Sequence, residues 1–80
     1  MLKRIIDGEL PSVIFRCLIE EDETIGNIRL GEMFSDEFAN LDGEAEQLIW
    51  HWKGPGKTQG LSDASLDAEL IRILREAGYI

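Results

Sequence analysis

The sequence predicts a mainly α fold, a small compact domain of about three helices, and three observations carry that expectation. The apolar run Phe34, Phe38, Leu41, Ala45, Leu48, Trp52 alternates spacings of four and three, which places all six side chains on one helical stripe. A second stripe, Leu66, Leu70, Ile73, Leu74 and Ala77, is bracketed by helix-start and helix-stop residues. Between them, Gly54-Pro55-Gly56-Lys57-Thr58-Gln59-Gly60 has too much Gly and Pro to continue a helix and must be a loop. The competing arrangement is α+β, with an N-terminal hairpin across residues 13–30.

The N-terminus, Met1-Leu2-Lys3-Arg4-Ile5-Ile6-Asp7, opens like a signal peptide and then fails, because Asp7 interrupts the apolar run after two residues. No stretch approaches the roughly 18 apolar residues of a membrane span. A cytoplasmic protein without membrane association is expected.

Pro11 suits the first position of a helix, with Val13, Ile14, Cys17 and Leu18 facing inward. The same residues, 13–19, have the β-branched and aromatic content of a buried strand, for which Glu20-Glu21-Asp22-Glu23 would be the hairpin tip. Residues 25–30 do not alternate cleanly, and the helix is the preferred assignment. A central helix is expected over about Asp36 to Lys53, capped by Ser35, with Asp36 and Glu37 in its first turn. Asp42-Gly43 favours a turn, but the stripe keeps its phase through residues 41 and 45, so one helix kinked at Gly43 is expected. In the C-terminal helix, Ser62 or Ser65 is the cap, Asp63 and Asp67 complement the positive end of the dipole, and Arg72 and Arg75 the negative end. Arg72–Glu76 is an i,i+4 pair, and Gly78 stands where a left-handed residue ends the helix.

Eighty residues can build only one core, so a single globular domain over 1–80 is expected. Cys17 is the only cysteine, which excludes an internal disulfide and suits a reducing compartment. Sixteen acidic residues against eight basic ones give a formal charge of −8. A field of that sign repels phosphate backbones, and the cations are spread along the chain, so direct nucleic-acid binding is not expected. The charge keeps a small protein in solution and also suits a partner with a basic surface.

Motifs that could carry chemistry fall short. Gly56-Lys57-Thr58 resembles the end of a phosphate-binding loop, but His51 stands where the first glycine belongs, and a helical pattern rather than a strand precedes it. Residues 21–32 can be laid on a calcium loop, yet Ile25 and Arg29 occupy liganding positions. His51 is the only histidine, and it has no evident pairing with Cys17, which reads as a core residue. No catalytic residues, metal or cofactor are assigned.

Trp50 is different. At about 100° per residue it points away from the seam that ends at Trp52, toward a surround of Gly43, Glu46 and Lys53. It either packs beneath the N-terminal segment, as a three-element domain favours, or stands at the surface as an interface hot spot. The expected function is non-enzymatic: a small acidic protein, regulatory in character, acting by protein–protein interaction through Trp50, Glu46 and the acidic run Glu20, Glu21, Asp22 and Glu23. A homodimer is one form of that interaction. The alternative is an acidic inhibitor, or nucleic-acid mimic, that occupies a basic partner surface.

Overall fold

A computed structural model describes all residues 1–80 and contains four α-helices and no strands. A single 3₁₀ turn over Leu2–Ile5 precedes α1 (Pro11–Glu21), α2 (Asn27–Glu37), α3 (Glu44–Trp50) and α4 (Asp63–Glu76). The mainly α expectation holds, with four helices in place of three. No helix is long and apolar enough to cross a membrane.

The extra helix comes from the centre of the chain, where the expected single helix is two. α2 ends at Glu37, and α3 begins only at Glu44, so Ser35, Asp36 and Glu37 close a helix instead of opening one. The break is made by polar residues that compete for backbone bonds. Asn40 takes a left-handed φ of 71°, and Asp42 Oδ1 accepts the Glu44 N–H at 3.1 Å. With the helix interrupted, the stripe loses its phase. α2 buries Leu30 and Phe34, with Phe38 as its C-cap, while α3 buries Ala45 and Ile49, followed by Trp52. Leu41 and Leu48 pack against the core from a half-buried position.

The preferred helix at residues 13–19 is present as α1, with Pro11 at its first position. Its buried face is rotated from the expected one: Ile14 and Phe15 are inside, Val13 is 45% exposed, and Cys17 and Leu18 are half-buried. The rotation follows from the neighbour. α1 lies antiparallel to α4, with Ser12 bonded to Asp67 and Arg16 to Asp63, so Val13 is turned outward. Asp67 therefore does not serve the start of α4. It is buried and accepts the Ser12 N–H and hydroxyl, each at 2.7 Å, at the N-terminus of α1.

α4 begins as expected, with Ser62 Oγ accepting the Ser65 N–H at 3.1 Å. It ends with the Gly78 N–H on Arg75 O and the Tyr79 N–H on Leu74 O, a pattern that needs the positive φ of 88° at Gly78. Ala77 is exposed and is no part of the buried stripe. Arg72 bonds Glu76 within α4 and reaches Glu44 at 2.7 Å, tying α3 to α4. The loop at 53–61 crosses Trp52: a Cβ at Gly54 would lie 2.9 Å from the indole. The loop is closed by Lys53 N–H to Leu61 O and Leu61 N–H to His51 O, each 2.8 Å. Trp52, Phe15, Phe34 and Phe38 form a chain of tilted and edge-on aromatic contacts through the core.

Candidate protein-interaction face

Trp50 closes α3 and is 40% exposed. The N-terminal segment covers it only in part. Its ring lies against α2 at Gly31, where an added Cβ would meet Nε1 at 2.8 Å, so glycine is what lets the indole come down onto the helix backbone. The start of α2 is pinned to the same place, because Asn27 Nδ2 donates to the carbonyls of Trp50 (3.3 Å) and Trp52 (2.8 Å). Trp50 Nε1 donates to no group of the protein, in contrast to Trp52 Nε1, which bonds Asp63 Oδ1 at 2.9 Å.

Helical phase builds the rest of the face. On α2, Ile28, Gly31, Glu32 and Ser35 follow one another at spacings of three, one and three, and share one side. On α3, Glu46 stands one turn before Trp50, and its Oε1 accepts the Ser35 hydroxyl at 2.5 Å. Ile28 is 58% exposed, the most exposed large apolar side chain of the chain. The result is an apolar centre of Trp50 and Ile28 with the carboxylates of Glu32 and Glu46 beside it.

Of the residues named from sequence, Trp50 and Glu46 meet on this face, whereas Gly43 starts α3 at its far end. The acidic run is divided between the end of α1 and the turn that follows it. Glu20 and Glu21 belong to α1, and Glu20 lies on the outward stripe of that helix with Val13. Asp22 is the C-cap of α1, and Glu23 lies in the turn that leads into α2. Hydrogen bonds from the Thr24 hydroxyl (2.6 Å) and N–H (3.0 Å) hold the Asp22 carboxyl below the usual carboxylate range. Ile28, Gly31 and Glu32 are not legible as site residues from a stretch whose residues suit helix and hairpin alike. Their spacing becomes a signal only once α2 is known to start at Asn27.

The motifs with possible chemistry are dismantled by the fold. Residues 27–32 of the would-be calcium loop are helical, and no three His, Cys, Asp or Glu side chains converge as a ligand set. Gly56-Lys57-Thr58 lies in mid-loop, five residues ahead of α4, and the first helical residue there is Asp63, whose carboxylate is already held by Arg16 and Trp52. The largest concavity, about 390 Å³, lies at the opposite end of α2 from Trp50, lined by Lys3, Ile6, Asp7, Glu37, Phe38 and Tyr79. His51 lines a smaller one of about 300 Å³ with Leu48 and Leu61. No protein-family model matches the chain, and neither a curated protein nor a solved structure does.

Proposed function

We propose that the chain is a non-enzymatic, cytoplasmic regulatory protein that works by binding another protein, with Trp50 at the centre of the docking face. The observation that carries this reading is the state of Trp50: 40% exposed, with the Nε1 edge of its ring braced on Gly31 of α2. A half-exposed tryptophan braced along one edge has the properties of an interface hot spot, since one ring buries a large area with few rotors to freeze. Glu32 and Glu46 beside it give the partner its character, a surface with Lys or Arg beside an apolar contact. The net charge of −8 steers such a partner in and repels nucleic acid.

The acidic-mimic reading draws on a different feature, the exposed carboxylates Glu20, Glu21 and Glu23, none of which is in an ion pair. Salt separates the two. A phosphate mimic depends on many charges and loses affinity steeply as salt rises, whereas a tryptophan-centred contact loses it gradually.

The test is a quantitative cross-linked pull-down from the native host, with wild type, Trp50→Ala and the loop control Gln59→Ala as baits. A hot-spot loss of about 2 kcal/mol or more lowers partner recovery roughly 30-fold for Trp50→Ala alone. Equal recovery by all three baits, with Trp50→Ala folded, would remove Trp50 from the interface.

A further inference from the structure

A second surface, away from Trp50, is built on the outer side of the α1–α4 pair. Because Ser12 faces Asp67 and Arg16 faces Asp63, the two helices run antiparallel, and helical phase fixes what each shows to solvent. On α1 the outward stripe is Leu10, Val13, Cys17 and Glu20; on α4 it is Ala64, Ala68, Ile71 and Arg75. Leu10 is 47% and Val13 45% exposed, Ala64 and Ala68 are exposed, and Cys17 and Ile71 are half-buried. The register places Leu10 beside Ile71 and Cys17 beside Ala64, so six uncharged residues form one continuous strip over two helices. The charges in the seam below it, Arg16 and Asp63, neutralise each other.

The ends of the strip decide what covers it. Arg75 marks the end where α1 starts, Glu20 the end where α4 starts, and neither is in an ion pair. We infer that this face is the contact between two copies of the chain, related by a twofold axis that sets their helices antiparallel. That axis brings Glu20 of one copy to the end that carries Arg75 of the other, and it does so twice, as an isologous interface requires. The other face-to-face twofold, which keeps the helices parallel, would set Arg75 against Arg75 and Glu20 against Glu20. The small side chains Ala64 and Ala68 let the helix pairs approach closely and form a four-helix layer. An otherwise acidic surface would repel itself, and this strip is where two chains of −8 can meet without apposed carboxylates.

The inference does not depend on the Trp50 reading, and salt acts on the two in opposite directions. Raising salt from about 10 to about 150 mM shortens the Debye length from about 30 to about 8 Å, screening the repulsion between the two acidic bodies, so self-association strengthens while capture of a basic partner weakens.

Sedimentation equilibrium from about 10 to about 500 µM tests it, a range that covers the weak-to-moderate affinity of a small interface. The expected result is a monomer–dimer equilibrium that tightens with salt, is weakened at least tenfold by Ala68→Glu and by Val13→Lys, and is untouched by Trp50→Ala. Both disruptive positions are exposed, and thermal melts by circular dichroism should stay within a few degrees of wild type. Arg75→Glu should weaken the dimer, and Glu20→Arg combined with Arg75→Glu should restore it. A monomer at every concentration overturns the inference, as does a dimer that survives Ala68→Glu and Val13→Lys.

Discussion

Asp67, in the second turn of α4, holds the N-terminus of α1: its Oδ1 accepts the Ser12 N–H and its Oδ2 the Ser12 hydroxyl, both at 2.7 Å, across 55 residues of sequence. A helix that begins with Leu10 and Pro11 has no side-chain cap of its own, and the carboxylate from another helix supplies the missing acceptor. Both partners are buried, Asp67 at 7% and Ser12 at 3% exposure, so removing one strands the other. Asp67→Ala should cost about 2–3 kcal/mol, a large share of the roughly 4–12 kcal/mol available to an 80-residue domain. Asp67→Asn keeps an acceptor for the N–H and should recover about half of the loss. Urea melts of the two variants check this, and equal losses would show that charge, not the acceptor, holds α1.

The two tryptophans, two residues apart, should respond in opposite ways. Trp52 is 1% exposed, stacks under the Arg16 guanidinium at 5.2 Å and bonds Asp63, so Trp52→Ala should cost about 3–5 kcal/mol. Trp50 rests on Gly31 with its outer face in solvent, and Trp50→Ala should cost about 1 kcal/mol and leave the far-UV spectrum unchanged. Denaturant melts compare them directly. Losses of similar size would return Trp50 to the core.

Phe38 and Leu48 were equivalent as members of one stripe, and the structure separates them. Phe38 is 2% exposed and lies 4.8 Å from Phe34 and 5.2 Å from Tyr79, ring centre to ring centre. Leu48 is half-buried and borders the concavity with His51 and Leu61. Phe38→Ala should therefore cost about 3–5 kcal/mol, and Leu48→Ala about half of that or less. Matching values in denaturant melts would mean that α3 is rotated from its described position.

The contrast shows what the chain discloses about itself. The start and stop of α4 were legible because Ser62 and Gly78 act through their own local backbone bonds. The break between α2 and α3 was half legible: Asp42-Gly43 announced a turn, but the apolar spacing ran through it by coincidence of phase, and periodicity carries no information about continuity. The inward face of α1 was not legible, because Val13 and Phe15 are both apolar and only the pairing of Ser12 and Arg16 with α4 decides which of them is buried. The same holds for the candidate face. Trp50 and Glu46 stood out by residue type and phase, whereas Ile28 and Gly31 joined them only through the packing of α2 on α3.

Arg16, Asp63 and Trp52 form the group through which pH should act on stability. Asp63 accepts both arms of the Arg16 guanidinium, at 2.8 and 3.0 Å from Nη2 and 3.2 Å from Nε, and the Trp52 N–H at 2.9 Å. The Arg16 bonds, then the Trp52 bond, hold the Asp63 carboxyl below its ordinary range, and Asp63 in turn raises Arg16. A carboxyl with a depressed folded pKa contributes stability that is fully present above its unfolded value, about 4, and that is lost as pH falls through the lower folded value. Both side chains are more than 40% exposed, so solvent screening keeps the contribution to about 1 kcal/mol or less. Urea melts between about pH 7 and about pH 2 should show wild type losing its advantage over Asp63→Asn only below about pH 4, with the two curves parallel above it. An advantage that disappears near neutral pH would assign the effect to another group. An advantage that persists to about pH 2 would mean that the Arg16 and Trp52 bonds keep the Asp63 carboxyl ionised across the whole range, since Asn retains an acceptor for the Trp52 N–H and lacks only the charge.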